Sequence, residues 1–167
     1  MKTRVVALLT VLVITFGVLT AISFLPSVYS ANEERDSVST NLGSGAVPAA
    51  TESNIYLLAR IISAEARGEP YTGQVAVGAV ILNRIKHPSF PDTLSGVIYQ
   101  GGAFTAIVDG QFNQPISDSA YNAARDCLNG WDPTGGAIYY YNPAKTSNAF
   151  MHSRPIIVTI GAHRFCS

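Results

Sequence analysis

Charged side chains are scarce in this sequence, and those present balance one another. Of its 167 residues, 13% are Asp, Glu, Lys or Arg, and eleven basic residues offset eleven acidic ones to a net charge of zero. A balanced chain without a basic patch offers nucleic acid no electrostatic footprint. We therefore expect no nucleic-acid partner, and any local cluster of charge needs an explanation.

Motifs for metal, phosphate or nucleophilic chemistry are also missing. The three histidines, His87, His152 and His163, are far apart and match no metal-binding spacing. No phosphate loop and no Gly-x-Ser-x-Gly elbow occurs in the domain. We expect neither a metal nor a cofactor. The two cysteines, Cys127 and Cys166, could form a disulfide in an exported domain, or be one buried thiol and one frayed terminal thiol.

The first 30 residues resemble a targeting segment. "MKTR" supplies two positive charges, about twenty apolar residues follow, and small residues at Val28 and Ser30 suit a cut before Ala31. The apolar run is also long enough to span a bilayer as an uncleaved anchor. We predict a signal peptide or membrane anchor over 1–30. In either case the functional part is exported and extracytoplasmic, and any membrane contact is through this segment.

A flexible linker is predicted over 31–53, since "ANEERDSVSTNLGSGAVPAATES" is polar and rich in small residues. The remaining 54–167 form one small domain. Helical patterns are predicted in "SNIYLLARIISAEA" with Ser53 as N-cap, in "YTGQVAVGAVILNRIKH" with Thr72 as N-cap, and in "SDSAYNAARDCLNG" with Ser117 or Ser119 as N-cap. "GGAIYYYNP" and "RPIIVTIGAHRF" have strand composition. The fold class is therefore α+β, helix-dominated, with a small β element.

Glu65 is the first candidate for chemistry. Ile55, Leu58, Ile62 and Glu65 follow helical spacing, so the carboxyl lies on the apolar stripe of its helix. Loss of solvation raises the pKa of a carboxyl and keeps its proton in place, as an acid that cleaves glycosidic bonds requires. A structural alternative is a helix-end Glu that pairs with Arg60 or Arg67.

Glu69 is a weaker second candidate. It follows the helix-stopping Gly68 and precedes Pro70. A secondary acid is one interpretation, but a structural role beside the next helix N-terminus fits its position better.

Aromatic and amide side chains in the loops and the first predicted strand form a candidate sugar-binding set. Aromatic rings stack on sugars, while neutral amides and hydroxyls exchange hydrogen bonds with sugar hydroxyls. Because alternate residues of a strand face opposite sides, Tyr140 is expected to point away from its neighbours. The predicted substrate-binding residues are Tyr99, Gln100, Phe104, Thr105, Gln111, Tyr139, Tyr141 and Asn142.

Three long blocks of the sequence resemble a known family. They are "ARIISAEARGEPYTGQVAVGAVILNRIKHPSFPDTLSGVIYQGGAFTAIVDGQ", "LNGWDPTGGAIYYYNP" and "TIGAHRFC", in this order. This part of the chain resembles the catalytic domain of the SleB-type spore cortex-lytic cell-wall hydrolases. The resemblance covers roughly 54–167 and implies a lysozyme-like, lytic transglycosylase-like domain whose acid glutamate is Glu65.

The resemblance implies an enzyme that binds peptidoglycan glycan strands and cleaves the bond from N-acetylmuramic acid to N-acetylglucosamine. The muramic 6-hydroxyl would attack its own C1, giving a 1,6-anhydro product. Alternatives are a hydrolase with Glu69 or Asp109 as base, a non-catalytic wall-binding or coat protein, and an amidase or peptidase. The family's germination enzyme carries an upstream wall-binding domain where this chain has only a linker. A role in germination and one in vegetative wall remodelling both stay open, and no regulatory partner is assigned.

Overall fold

The computed structural model describes residues 46–167. The predicted targeting segment and most of the predicted linker lie outside the described residues. Within 46–167 no helix has both the length and the apolar character needed to cross a membrane. Val47 already packs against the hydrophobic core, and the first helix begins at Glu52. Residues before the predicted boundary at residue 54 therefore already pack with the domain, because Val47 covers apolar surface of the core.

Helices dominate the described part of the chain, and a small sheet follows them, which confirms the predicted α+β class. The helices precede the sheet except for one short helix, α5, which the sequence did not predict. In chain order the elements are α1 (Glu52–Glu65), α2 (Tyr71–Lys86), α3 (Leu94–Ile98), two 3₁₀ turns (Thr105–Ile107 and Gln111–Asn113), α4 (Asp118–Leu128), β1 (Tyr139–Tyr141), α5 (Ala149–His152), β2 (Ile156–Ile160) and β3 (His163–Cys166).

Helix α1 begins at an earlier cap than the sequence predicted. The hydroxyl of Thr51, not that of Ser53, accepts a hydrogen bond from the Asn54 amide at 3.3 Å. Glu52 then occupies the first turn, where a negative charge suits the helix dipole. Ile55, Leu58 and Ile62 are buried as the spacing predicted, so the stripe that carries Glu65 does face the core.

Helix α2 has no side-chain cap, which corrects the prediction of Thr72 at its N-cap. Pro70 takes that position, and Tyr71 is the first helical residue. Helix α2 also approaches its neighbours closely at Gly78. A Cβ built there would lie 2.6 Å from Cys127 Sγ on α4 and 2.7 Å from Ile62 Cδ1 on α1. Only glycine lets these three helices meet at that point.

The three strands form an antiparallel sheet in the order β1–β3–β2. The predicted strand stretch near the C-terminus folds as the β2–β3 hairpin, with Gly161 at a φ of +57° in its turn. Tyr140 of β1 pairs with Phe165 of β3. Phe165 is fully buried in the core, so it anchors the sheet to the helices.

The two cysteines are unpaired, and both are buried. Cys127 donates from Sγ to the Val75 carbonyl at 3.1 Å, between α4 and α2. Cys166 lies within β3, opposite Tyr139, so it is not a frayed terminal thiol. The strand pairing holds Cys166 in place although it is the penultimate residue.

Candidate active site

A cleft of about 590 Å³ lies where the C-terminal end of α1 meets one face of α2, the loop after α3, and β1. This volume is in the usual range for a ligand-binding pocket. Aromatic, amide and cationic side chains share its wall with one carboxyl group. The lining residues are Glu65, Arg84, Phe90, Gln100, Gly101, Gly102, Ala103, Phe104, Thr105, Tyr139, Tyr140, Tyr141, Asn142, Lys145, Thr146, Met151 and His163.

Glu65 is the last residue of α1, and its carboxyl group lines the cleft. Oε2 accepts a hydrogen bond from the Tyr140 hydroxyl at 3.1 Å. Oε1 is buried and has no hydrogen-bond partner among residues 46–167. A buried oxygen without a donor is costly for a carboxylate, whereas a protonated oxygen there can serve as a donor itself.

Burial raises the pKa of Glu65 above its ordinary value of 4.5. The hydrogen bond from the Tyr140 hydroxyl opposes that rise. The backbone amide of Ala106 opposes it as well, although Ala106 makes no hydrogen bond to Oε1. The charge of Asp109 adds to the rise, and that of Arg84 opposes it slightly. Burial has the largest effect, so the site favours the protonated carboxyl.

Tyr140 stays a neutral phenol and therefore donates to Glu65. Burial and the negative charge of Glu65 raise the pKa of Tyr140 well above 10. Its ring lies edge-on to His163, with centroids 5.4 Å apart, and tilted against Phe165 at 5.9 Å. Two buried neighbours thus fix the ring that orients the acid.

Arg84 contributes a second charged group to the cleft wall. It is 8% exposed, and its Nε donates to the Ile138 carbonyl at 2.8 Å. Its guanidinium carbon lies 5.1 Å from the ring centroid of Phe90, 5.5 Å from that of Phe104 and 5.8 Å from that of Tyr139. All three rings line the same cleft.

Most of the residues predicted to bind substrate lie together in this cleft, and two do not. Those in the cleft are Gln100, Phe104, Thr105, Tyr139, Tyr141 and Asn142. Tyr99 instead lies exposed outside it, edge-on to Phe112 at 5.9 Å. Gln111 is outside as well, because its side-chain amide donates to Asp109 Oδ2 at 2.9 Å. Local hydrogen bonding and packing occupy these two side chains.

Glu69 lies behind the cleft wall rather than in it. Its Oε2 accepts from the Ala162 amide at 3.0 Å, and its Oε1 is 3.3 Å from His163 Nδ1. The second contact does not have the geometry of a hydrogen bond, and Nδ1 has no hydrogen-bond partner within 46–167. Glu69 therefore holds the β2–β3 hairpin, and its position does not support the prediction of a second acid.

Several cleft residues were missed from the sequence, and three of them bear on the chemistry of the site: Tyr140, Arg84 and His163. Strand alternation excluded Tyr140, but β1 is a three-residue edge strand and the cleft extends along both of its faces. Arg84 could have been found, since it continues the buried face of Val77 and Val80 at helical spacing. A charge on an apolar stripe is the same signal that identified Glu65. No sequence signal distinguished His163.

Comparison with known proteins identifies relatives of this chain. Residues 68–166 match the family model described as Cell Wall Hydrolase. A spore cortex-lytic enzyme of Bacillus cereus is 48% identical over 126 residues, which are 75% of this chain and 49% of that relative. The chain thus spans about half the length of that relative.

Two solved structures have the same fold. The catalytic domain of the Bacillus cereus SleB protein matches with a TM-score of 0.69 at 46% identity, covering 75% of this chain and 98% of that domain. The catalytic domain of the germination-specific lytic transglycosylase SleB from Bacillus anthracis matches with a TM-score of 0.66 at 49% identity, covering 70% and 96%. The chain belongs to the cell wall hydrolase family.

Proposed function

We propose that this domain cleaves the glycan strands of peptidoglycan between N-acetylmuramic acid and N-acetylglucosamine, as a lytic transglycosylase with Glu65 as its acid. The observation that carries the proposal is the half-buried carboxyl of Glu65, with one oxygen held by Tyr140 and the other unpaired in the cleft wall. The names of the relatives, spore cortex-lytic enzyme and lytic transglycosylase, support the same chemistry.

In the first step, protonated Glu65 transfers its proton to the oxygen that bridges the two sugars. The bond from that oxygen to the muramic C1 breaks, the N-acetylglucosamine part leaves as an alcohol, and positive charge develops at C1. The Tyr140 hydroxyl keeps its hydrogen bond to Oε2 and stabilises the carboxylate that forms.

In the second step, the Glu65 carboxylate removes the proton of the muramic 6-hydroxyl while that oxygen bonds to C1. The product is a 1,6-anhydro ring, and Glu65 regains its proton. One carboxyl group serves as acid and then as base, so the reaction requires no second acidic residue. This fits a cleft in which Glu65 is the one acidic side chain among the described lining residues.

Substrate contacts are proposed for the predicted residues that share the cleft with Glu65. Phe104, Tyr139 and Tyr141 offer ring faces or edges to the sugars. Gln100, Thr105 and Asn142 offer donors and acceptors for sugar hydroxyl and acetamido groups. Tyr99 and Gln111 would reach a glycan only where it extends beyond this cleft.

The site of action proposed is the cell wall or the spore cortex, outside the cytoplasm. A targeting segment or anchor over 1–30 and a linker after it would deliver the domain there, and spore cortex lysis in germination is the role that the relatives' names favour. Remodelling of the vegetative wall is the other role that such an activity serves.

The central test compares the parental chain with Glu65→Gln on purified peptidoglycan. We expect the variant to clear walls at least about a hundredfold more slowly, because an amide is too weak an acid to transfer a proton to the bridging oxygen. Circular dichroism and thermal unfolding would verify that the variant is folded. Parental clearing rates in the folded variant would contradict the assignment of Glu65.

Mass spectrometry of the released muropeptides tests the second step. Products lighter by one water at the muramic end identify an intramolecular attack by the 6-hydroxyl. Reducing muramic ends would identify water as the nucleophile and a hydrolase instead, with Asp109, whose charge acts on Glu65, as a candidate for its base.

A further inference from the structure

Arg84 is a buried cation that no carboxylate of the described domain neutralises. It is 8% exposed, and the charged contacts within 4.0 Å among residues 46–167 join Arg125 to Glu52 and, when His163 is protonated, His163 to Glu69. Burial lowers the pKa of Arg84, but a guanidinium keeps its proton in proteins. Buried charges are normally paired, so the isolation of this one requires an explanation.

The donors of Arg84 are only partly used. Nε donates to Ile138, whereas neither Nη group makes a hydrogen bond to residues 46–167. Phe90, Phe104 and Tyr139 surround the guanidinium and restrict its orientation. A rigid fork of unsatisfied N–H groups in a cleft wall is suited to a planar anion such as a carboxylate.

The charge balance of the cleft also favours an anionic ligand. Lys145 lines the cleft with Arg84, and Glu65, the one acidic residue among the lining residues that the structure describes, favours its protonated form. During cleavage the sugar becomes positive and Glu65 becomes a carboxylate, so the two cations Arg84 and Lys145 still leave the cleft with a net positive charge that penalises the reaction. A substrate that brings its own anion to Arg84 removes that penalty.

We propose that Arg84 is a substrate-specificity residue that binds a carboxylate on the side chain of a muramic residue. This inference rests on the proposed function and names the chemistry of one substrate contact. Muramic acid carries a lactyl ether, and unless its carboxyl group is closed into a lactam, that group is either free or linked through an amide to an amino acid with its own carboxylate. Both sources present the same planar anion to Nη1 and Nη2 of Arg84.

Binding in the Glu65→Gln background tests the inference without cleavage. The full 167-residue chain, purified in mild detergent, is titrated by calorimetry with three tetrasaccharides of alternating N-acetylglucosamine and N-acetylmuramic acid. The first has free lactyl carboxylates, the second carries L-alanine in amide linkage, and the third is the neutral methylamide of the first. Comparison of the first two identifies which carboxylate is bound.

We expect at least one anionic glycan to bind about tenfold or more tightly than the neutral one, as charge-assisted hydrogen bonds predict. Arg84→Gln removes this preference and changes affinity for the neutral glycan less than about threefold. Arg84→Lys retains only part of the preference, because an ammonium lacks the planar fork.

Arg154→Gln is the matched control. Its guanidinium carbon also lies over aromatic rings, 4.4 Å from the centroid of Tyr139, which Arg84 contacts too, and 4.3 Å from that of Phe150. Arg154 does not line the cleft. Its loss should leave the anionic preference unchanged.

Three results would each overturn the inference. They are equal binding of anionic and neutral glycans, no binding of any of them, and a preference for anionic glycans that survives in folded Arg84→Gln. If Arg84→Gln does not fold, Arg84→Lys replaces it, and an undiminished preference for anionic glycans in Arg84→Lys overturns the inference. Wall clearing by the parental chain is read separately. Its persistence would mean that only the carboxylate contact is wrong, and its absence would remove the proposed function as well.

Discussion

At the scale of single residues, the candidate site depends on how Tyr140 and the surrounding burial act against each other on Glu65. Burial holds the proton on the carboxyl, while the hydrogen bond from Tyr140 favours the carboxylate. An acid that must give and then regain a proton benefits from both influences, since burial retains the proton before the reaction and the hydrogen bond supports the carboxylate that forms during it.

Tyr140→Phe tests this balance. Removal of the hydroxyl takes away the hydrogen bond that lowers the pKa of Glu65, so the alkaline limb of kcat/KM should move to higher pH. We also expect kcat/KM on the acidic plateau to fall about threefold to tenfold, the usual worth of one neutral hydrogen bond. Rates of peptidoglycan cleavage across a pH series supply both quantities.

Tyr141→Phe is the control for that series. Tyr141 shares the strand and the cleft, but its hydroxyl contacts Arg164 rather than Glu65, at 3.5 Å. The alkaline limb of kcat/KM for Tyr141→Phe should stay at the parental pH. An unmoved limb in Tyr140→Phe would mean that Tyr140 does not control the protonation of Glu65.

Glu65 should also make stability depend on pH. Its pKa is raised in the folded state above 4.5, so the folded chain binds more protons than the unfolded chain in the window above that value. The stabilisation from this proton is complete below pH 4.5 and is lost as pH rises through the folded pKa. Glu65→Gln removes that loss, because its amide is neutral throughout.

We therefore expect Glu65→Gln to match the parental melting temperature at about pH 4 and to exceed it at about pH 8. Melting curves in buffers of constant ionic strength measure the difference. A variant that is less stable than the parent at the higher pH would show that Glu65 is ionised and favourably paired in the folded chain.

At the scale of elements, the β2–β3 hairpin depends on a residue far away in sequence. Glu69, in the loop between α1 and α2, accepts from the Ala162 amide in the hairpin turn. A Cβ on Gly161 would overlap Glu69 Oε2, so the turn requires glycine both for that approach and for its positive φ. The hairpin in turn supplies His163, which supports the ring of Tyr140.

Glu69→Ala should therefore lower the free energy of unfolding by about 1 kcal/mol or more, because the Ala162 amide loses its acceptor. Wall cleavage by the folded fraction should persist. Urea unfolding and clearing assays measure the two effects. Glu52→Ala removes an exposed carboxylate 3.9 Å from Arg125 and should cost less. Abolished cleavage in folded Glu69→Ala would restore Glu69 as a second acid.

At the scale of the whole molecule, the described domain is held by packing rather than by a covalent link. Helices α1, α2 and α4 surround a core that Phe165 of the sheet also enters, and both thiols are buried within the domain. Burial raises the pKa of Cys127 to about 12 and raises that of Cys166 as well. Neither thiol is a reactive thiolate in the folded chain.

An aromatic disulfide reagent should therefore label the native chain only slowly and should label two thiols per chain after denaturation. Reductant should leave the melting temperature unchanged. If the denatured chain shows no free thiol until reductant is added, the cysteines form a disulfide, and the domain depends on it.

Much of this domain follows from local sequence. The apolar stripe of Ile55, Leu58 and Ile62 set both the buried face of α1 and the side on which Glu65 lies. Gly68 and Pro70 located the break between α1 and α2. β-branched and aromatic residues marked the strands. These features were predictable because they depend on neighbours within a few residues.

The helix caps were less predictable. Thr51 and Ser53 offer similar hydroxyls, and the choice between them depends on where the start of α1 meets the core. The packing of Val47 against the core depends on the same tertiary contact. The short helix α5 carries no buried residue and so left no periodic signal in the sequence. Competition between equivalent local signals is resolved only by tertiary contacts.

The sequence alone therefore determined the α+β class, the exported character expected of the chain, the family resemblance and Glu65 as the first candidate. Only the tertiary structure decided that Tyr140 binds Glu65, that Glu69 holds a hairpin, that Arg84 enters the cleft without a carboxylate partner within 46–167, and that the cysteines stay apart. The physical reason is range. Periodicity and turn chemistry act between residues close in sequence. The contacts arise only when the elements pack, because Tyr140 is 75 positions from Glu65, Ala162 is 93 from Glu69, and Ile138 is 54 from Arg84. The two cysteines are 39 positions apart, and packing likewise decides whether they meet.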